Sequence, residues 1–212
     1  MTKLIKAIAV IGILFIAGCK DAYFADGGNA PVDQSGVLGV STMDYLESNK
    51  ASFDTLARLI KLTGLEAEVN AKGNTFFAPR DYSIHNYFKL LYPDPEKRPA
   101  TLEEIPQEEM DLIKLMLENY IIPDKEIVRG SLATTYSYAT TYGDRKARFN
   151  IVTQDYLGNV NMGAKYIVFS LNVSPPGLPD RYQAVQVVTA DLHSTNGVVH
   201  ILDSNTHILG FN

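Results

Sequence analysis

The histidines near the carboxyl terminus are the first candidates for chemistry. His193, His200 and His207 follow one another at intervals of seven residues, and imidazole is a common metal ligand. That spacing aligns side chains on a helix, but Asn196-Gly197 predicts a turn between them and strand alternation breaks the alignment. We therefore predict no metal site. We expect His200 to be buried and hydrogen-bonded and the other two histidines to lie on the surface.

Other catalytic signatures are missing from the sequence. Its single cysteine, Cys19, excludes an internal disulfide and any cysteine-rich metal site. The sequence contains no nucleophile elbow, no phosphate-binding glycine loop and no His-Glu-x-x-His motif. We predict no catalytic residue and no cofactor, and keep an enzyme with an unrecognised acidic or histidine site as a distant alternative.

A tyrosine-rich segment is the first candidate for binding. Tyr136, Tyr138 and Tyr142 lie in a run of Thr, Ser, Ala and Tyr, and in a strand they would share one face. Aromatic rings with hydroxyl groups suit sugar rings or a protein partner. The alternative, which we favour, is that these rings cover the core edge of a sheet. The basic segment 145–148 that follows is interpreted as a solvated turn.

Composition limits the class of protein. The chain has 212 residues, of which 46% are hydrophobic and 20% charged, so it is globular. Its formal net charge of −5 argues against a nucleic-acid partner.

The amino terminus predicts export. Lys3 and Lys6 precede a short apolar run over residues 7–18, as in a secretory signal. The run ends in Ile16-Ala17-Gly18-Cys19, which resembles a bacterial lipobox. This resemblance implies that a signal peptide, residues 1–18, is removed and that acyl chains such as palmitate on Cys19 hold the protein on a membrane. The alternative is that Cys19 is an ordinary apolar residue of the signal.

The residues after Cys19 suggest a location and a spacer. Lys20-Asp21 faintly resembles the export signal of Bacteroidetes lipoproteins, although Ala22 departs from it, and favours the outer membrane and the cell surface. Residues 19–40 are rich in glycine and poor in apolar residues from Ala25 on, which predicts a flexible tether. Residues 41–212 are treated as one domain.

Within that domain, helical patterns precede strand patterns. An apolar stripe predicts a helix that Ser52 caps and Gly64 ends, and further helices are expected at 83–92 and after Pro106. Strands are expected at 121–128, 149–153, 166–173, 182–189 and 198–202. This order predicts an α+β domain with mainly antiparallel pairing.

Two segments then resemble the signature segments of the fasciclin (FAS1) domain family. The first is Thr75-Phe76-Phe77-Ala78-Pro79, and the second is Asn196-Gly197-Val198-Val199-His200, in which we expect positive φ angles at the Asn-Gly turn. The resemblance implies a β-sandwich flanked by several helices, and a role in adhesion. One departure is Ile121, which follows Tyr120 where the family often has histidine.

The resemblance also marks a second candidate binding site. Asp191 and Leu192 match a position implicated in integrin contact in animal adhesion proteins of this family. The alternative, which we favour, is a solvated aspartate beside a buried leucine.

These observations predict a lipid-anchored extracytoplasmic protein of the cell envelope that acts by binding, in cell adhesion or surface recognition. Its partners would be the membrane, through lipid on Cys19, and a protein or glycan at a surface. The alternative function is glycan capture as an accessory of a polysaccharide-uptake system.

Overall fold

The computed structural model describes residues 36–211. The predicted signal peptide, Cys19 and residues 20–35 of the predicted tether lie outside these residues. The prediction of a flexible tether is wrong for residues 36–40, because the N–H of Leu38 donates to the carbonyl of His193 and the N–H of Thr195 donates to the carbonyl of Val40. Within the described range the α-helices are α1 (Thr42–Ser48), α2 (Lys50–Leu62), α3 (Glu66–Val69), α4 (Asp81–Leu91) and α5 (Gln107–Glu118). None of the helices in 36–211 combines the length and the hydropathy needed to span a bilayer.

Helix α2 follows the predicted stripe. Phe53, Leu56 and Ile60 are all buried on one face of it. Gly64 ends the helix with a φ of 69°, as predicted. The N–H groups of Gly64 and Leu65 donate to the carbonyl groups of Lys61 and Ile60, the pair of bonds that closes a helix of this kind.

The helix starts differ from the prediction. Helix α2 begins at Lys50, so Ser52 does not cap it. The residues before it form α1, which was not expected; the side chain of Ser41 caps α1 by accepting from the N–H of Asp44. Pro106 stands just before α5 and not inside it.

Seven strands form one sheet in the order β2-β1-β7-β6-β5-β4-β3. The strands are β1 (Asn74–Ala78), β2 (Ile121–Ile122), β3 (Ser137–Thr140), β4 (Lys146–Thr153), β5 (Lys165–Asn172), β6 (Tyr182–His193) and β7 (Gly197–Leu202). All neighbouring strands are antiparallel except β1 and β7. The predicted α+β class with mainly antiparallel pairing is confirmed.

Strand β2 is much shorter than the predicted 121–128. Pro123 has no N–H group to donate to a neighbouring strand, and Asp124 turns the chain with a φ of 52°. The buried side chain of Thr75 fixes the segment after this turn, because its hydroxyl donates to the carbonyl of Lys125 and accepts from the N–H of Ile127.

The sheet folds over a single core. Phe77 of β1 stacks on Phe169 of β5 at 4.3 Å and on Phe149 of β4 at 5.3 Å between ring centroids. The two ends of the sheet therefore face each other as in a sandwich, while the long strand β6 joins them. Beyond β3, the N–H of Tyr142 donates to the carbonyl of Ile121 in β2, so the sheet nearly closes into a barrel.

The two signature segments lie side by side. Strands β1 and β7 pair in parallel, from Asn74 opposite Gly197 to Ala78 opposite Ile201, and every residue of both strands is buried. The expectation of positive φ at Asn196 and Gly197 is wrong, because neither residue has one. Glycine is needed at 197 for a different reason: a β-carbon there would overlap the carbonyl oxygen of Asn74.

Candidate binding surface

Two of the three candidate tyrosines lie together on the outer side of the sheet. Tyr138 belongs to β3, and Tyr136 immediately precedes that strand. Their ring centroids are 6.4 Å apart, and 47% of Tyr136 and 58% of Tyr138 is exposed. These rings therefore do not cover the core, because Ser137 and Phe149, and not the tyrosines, occupy the inward row of the β3–β4 pair.

Arg148 joins these rings to a third one. It lies opposite Tyr138 across the β3–β4 pair, and its guanidinium carbon is 4.0 Å from the ring centroid of Tyr136 and 4.1 Å from that of Tyr182. A guanidinium group held between two aromatic faces gains cation–π attraction from both. We call Tyr136, Tyr138, Arg148 and Tyr182 the tyrosine–arginine surface.

The segment 145–148 is thus not a solvated turn. Lys146, Ala147 and Arg148 begin β4, and Ala147 points into the core. The alternation of buried and outward residues continues through Phe149 to Ile151, so the outward side chain of Arg148 is fixed by the pleat of the strand.

A groove of about 470 Å³ adjoins the tyrosine–arginine surface. The rings of Tyr138 and Tyr182 line it, together with Thr140, Lys146 and Asp180. The ammonium group of Lys146 lies 3.1 Å from Asp180, and this hydrogen bond lowers the pKa of the carboxyl group and raises the pKa of the lysine. The groove therefore presents charged hydrogen-bonding groups between aromatic side chains at neutral pH.

Tyr142 stands apart from the other candidates. Strand β3 ends at Thr140, and the chain turns at Asp144 with a φ of 59°, so the predicted common strand face does not extend to Tyr142. Its hydroxyl faces Glu68, whose charge raises the pKa of Tyr142. Within residues 36–211 its ring contacts neither Tyr136 nor Tyr138.

Asp191 and Leu192 are engaged within the fold. Asp191 lies in an irregular part of β6 with a φ of 59°, and its carboxylate accepts from the N–H of Arg129 at 2.8 Å. Leu192 is only 9% exposed and belongs to the core. A binding role for this pair stays a prediction.

His200 is buried and hydrogen-bonded, as the sequence predicts. Its Nδ1 accepts from the N–H of Asp191, so its Nε2 carries the proton and donates to the carbonyl of Ile127 at 2.7 Å. Burial lowers the pKa of His200.

The expectation that both His193 and His207 lie on the surface is wrong for His207. His193 is exposed, but His207 is buried because the segment before the last short helix, Leu209–Phe211, packs on the core. Burial lowers the pKa of His207 to about 4. Within the described range no group of three His, Cys, Asp or Glu side chains is placed to hold a metal ion.

Comparison with known proteins identifies the family. The sequence model of the fasciclin domain matches residues 51–205. The chain belongs to the fasciclin family. No curated protein gives a significant match to it.

Membership of the fasciclin family has a general functional meaning. Fasciclin domains are generally binding domains without enzymatic activity and are associated with adhesion. The family signature residues of this chain have structural roles: Thr75 anchors the segment after β2, Phe77 stacks in the core, and the side chain of Asn196 accepts from the N–H of Thr42 in α1.

Sequence reasoning missed part of the surface. Arg148, Tyr182, Lys146 and Asp180 were not among the candidates. The alternation of apolar and polar residues over 146–151 would have placed Arg148 on an outward strand position. Its contact with Tyr182 joins residues 34 positions apart (182 − 148), and no local pattern predicts that.

Proposed function

We propose that this fasciclin-domain protein is a lipid-anchored extracytoplasmic protein that acts by binding, in cell adhesion or surface recognition. The tyrosine–arginine surface is its binding site. The family supports a binding role, and the exposed side chains of this surface supply a place for it.

One observation carries the proposal: large aromatic side chains and an arginine are gathered on the outside of the sheet. Tyr136 and Tyr138 keep about half of their surface exposed, so the core does not require them. Tyrosine and arginine, together with tryptophan, are enriched among the residues that dominate the energy of binding interfaces. Tyrosine offers a large contact area and loses few rotamers when it is bound.

The amino-terminal residues supply the location in this proposal. A lipobox-like sequence ending at Cys19 would place acyl chains on the mature first residue. Residues 36–40 are hydrogen-bonded to the domain, so a tether over residues 19–35 would have an end-to-end distance of about 23 Å as a flexible chain. The domain would then stand off the membrane, with the outer membrane and the cell surface as its favoured location.

Attachment of whole cells tests this function. Cells that lack the protein, cells that carry the full chain and cells that carry a chain with its tyrosine–arginine surface removed would be compared for attachment to matrix, to host cells and to neighbouring bacteria. The proposal expects attachment only with the intact chain. Equal attachment by all three would contradict it.

A second candidate function is glycan capture as an accessory of a polysaccharide-uptake system. The groove between Tyr138 and Tyr182 favours it, because aromatic walls with Lys146 and Asp180 beside them match a sugar's apolar ring faces and hydroxyl groups. Two results on a glycan array would support this function. The intact chain should be retained, and a variant with both Tyr138 and Tyr182 substituted should not be retained.

A further inference from the structure

We infer that the tyrosine–arginine surface and its adjoining groove bind a saccharide that carries a carboxylate, such as a uronic acid unit of an acidic polysaccharide. The sugar ring would lie in the groove and its carboxylate on Arg148, which is not part of the groove lining but contacts Tyr182 of its wall. The inference rests on the proposed binding role of the tyrosine–arginine surface and names its class of ligand. Three features carry it: the unpaired cation, the local charge and the lining of the groove.

Arg148 is a cation without an acidic partner. Among residues 36–211 no carboxylate forms an ion pair with it, and its buried Nε has no hydrogen-bond partner. The rings of Tyr136 and Tyr182 hold the guanidinium plane in place. A planar guanidinium that is already ordered loses little freedom when its terminal N–H groups bind a carboxylate.

The local charge is opposite to that of the whole protein. The ammonium group of Lys125 donates to the carbonyl of Tyr138 at 3.1 Å, and Lys146 lines the groove. Lys146 forms an ion pair with Asp180, so Arg148 and Lys125 are the two cations that these contacts leave without a carboxylate, while the whole chain has a formal net charge of −5. A cationic area on an acidic protein attracts an anionic ligand selectively.

The lining of the groove favours a saccharide over an acidic peptide. The carboxylate of Asp180 already accepts from Lys146, Asn172 and Tyr182. The hydroxyl of Thr140, which can donate or accept, therefore stands beside a fixed polar group in the groove and can meet sugar hydroxyl groups. A uronic acid presents one carboxylate and several hydroxyl groups on a ring whose apolar face can lie against Tyr138 or Tyr182. An acidic peptide lacks a ring whose apolar face could lie against these tyrosines, so its binding would depend on charge alone.

The test measures binding of oligosaccharides to the full-length chain by titration calorimetry. The probes are trimers of galacturonate, mannuronate, guluronate and glucuronate, each compared with its methyl ester, which keeps the ring and removes the charge. A peptide of seven glutamates tests the protein alternative. The variants are Arg148→Gln, Arg148→Lys and the matched control Lys165→Gln. Lys165 begins β5, whereas Arg148 lies opposite Ser170 near the other end of that strand, so the control removes a positive charge away from the surface.

We expect at least one acidic trimer to bind, with affinity reduced about tenfold to a hundredfold by its methyl ester or by Arg148→Gln. Arg148→Lys should restore only part of the affinity, and Lys165→Gln should retain it. Circular dichroism and thermal melting verify that the variants fold.

Three results would overturn the inference. They are equal binding of acid and ester, binding of the glutamate peptide in place of the trimers, and binding of none of the four trimers. If cells still attach through the intact chain while no trimer binds, the proposed function survives and the acidic saccharide is excluded. If the intact chain neither supports attachment nor binds a trimer, both the proposed function and the acidic saccharide are excluded.

Discussion

The hydroxyl group of Tyr120 lies 2.8 Å from Nε2 of His207, and both side chains are buried. The N–H of Gly210 donates to the same hydroxyl at 2.9 Å. The hydroxyl proton therefore has an acceptor when Nε2 of His207 is unprotonated. This contact ties the last described segment to Tyr120, two residues after α5, and burial favours the neutral form of the histidine.

Acidification should weaken the fold through His207. Its pKa falls from 6.5 to about 4 on folding, so the unfolded chain takes up a proton first as the pH drops. The stability that neutral His207 contributes is fully present well above pH 6.5 and is lost as the pH falls from 6.5 to 4. Below pH 4 this group causes no further change. Between pH 6.5 and 5 we expect a loss of about 1.6 kcal/mol, measured by urea unfolding.

Variants separate this effect from the titration of acidic groups. His207→Gln should lower the stability at pH 7 and flatten its dependence on pH. The control His193→Gln changes an exposed histidine and should keep the wild-type dependence. An unchanged pH dependence in His207→Gln would contradict the assignment, and His200, whose pKa is lowered by burial in the same way, would become the next candidate.

Gly197→Ala should destabilise the domain by forcing β1 and β7 apart. Its β-carbon would overlap the carbonyl oxygen of Asn74 in the neighbouring strand, so we expect a loss of about 1–3 kcal/mol in the free energy of unfolding. The matched control is Gly130→Ala, where an added β-carbon meets no atom within 4 Å. Equal stability of the two variants in urea would show that the strands are not so close.

Leu157→Asn should stabilise the β4–β5 hairpin. Leu157 and Gly158 form a two-residue turn, with φ values of 49° and 80°, inside the segment 154–164 that connects β4 to β5, and Tyr156 pairs with Asn159 on either side of it. Leucine is a poor residue at a positive φ and here 83% of it is exposed, whereas Asn-Gly is favoured in such turns. We expect a gain of about 0.5–1 kcal/mol.

Leu178→Asn serves as the control for the hairpin, since Leu178 is also exposed but has no positive φ. Its unfolding midpoint should barely move. If both variants shift the midpoint alike, the gain comes from removing an exposed leucine and not from the turn.

Cys19→Ser should release the protein from membranes. If Cys19 carries acyl chains, the wild-type chain partitions into the detergent phase and its amino-terminal peptide has a mass increased by lipid. The control Ala22→Ser leaves the cysteine in place and should still partition with detergent. Wild-type protein that is cleaved after its leader and found in the aqueous phase would refute the anchor.

Much of the fold could be predicted because its determinants are local. The stripe from Phe53 to Ile60, the helix end at Gly64 and the apolar strand at 198–202 all depend on neighbours in the sequence. The parallel pairing of β1 with β7 could not be read from either strand alone. The predicted length of β2 was too great because the β-branched residues of 121–128 were given more weight than Pro123. Pro123 cannot donate a backbone hydrogen bond and stops the strand pairing.

The binding surface was only partly predictable for the same reason. Tyr136 and Tyr138 are two residues apart, so strand alternation brings them to one face. Tyr142 was included by extending that alternation past the end of β3. Arg148 and Tyr182 come from two further strands, and their contact depends on the order of strands in the sheet, which short-range patterns do not specify.

The central claim is that the protein acts by binding through its tyrosine–arginine surface. Its most direct test is attachment of cells that display the full chain carrying Tyr136→Ser and Tyr138→Ser, compared with the wild type and with Tyr82→Ser, a similarly exposed tyrosine on α4. We expect the double variant to be displayed at the wild-type level and to lose attachment, while Tyr82→Ser retains it. Full attachment by the double variant would contradict the claim.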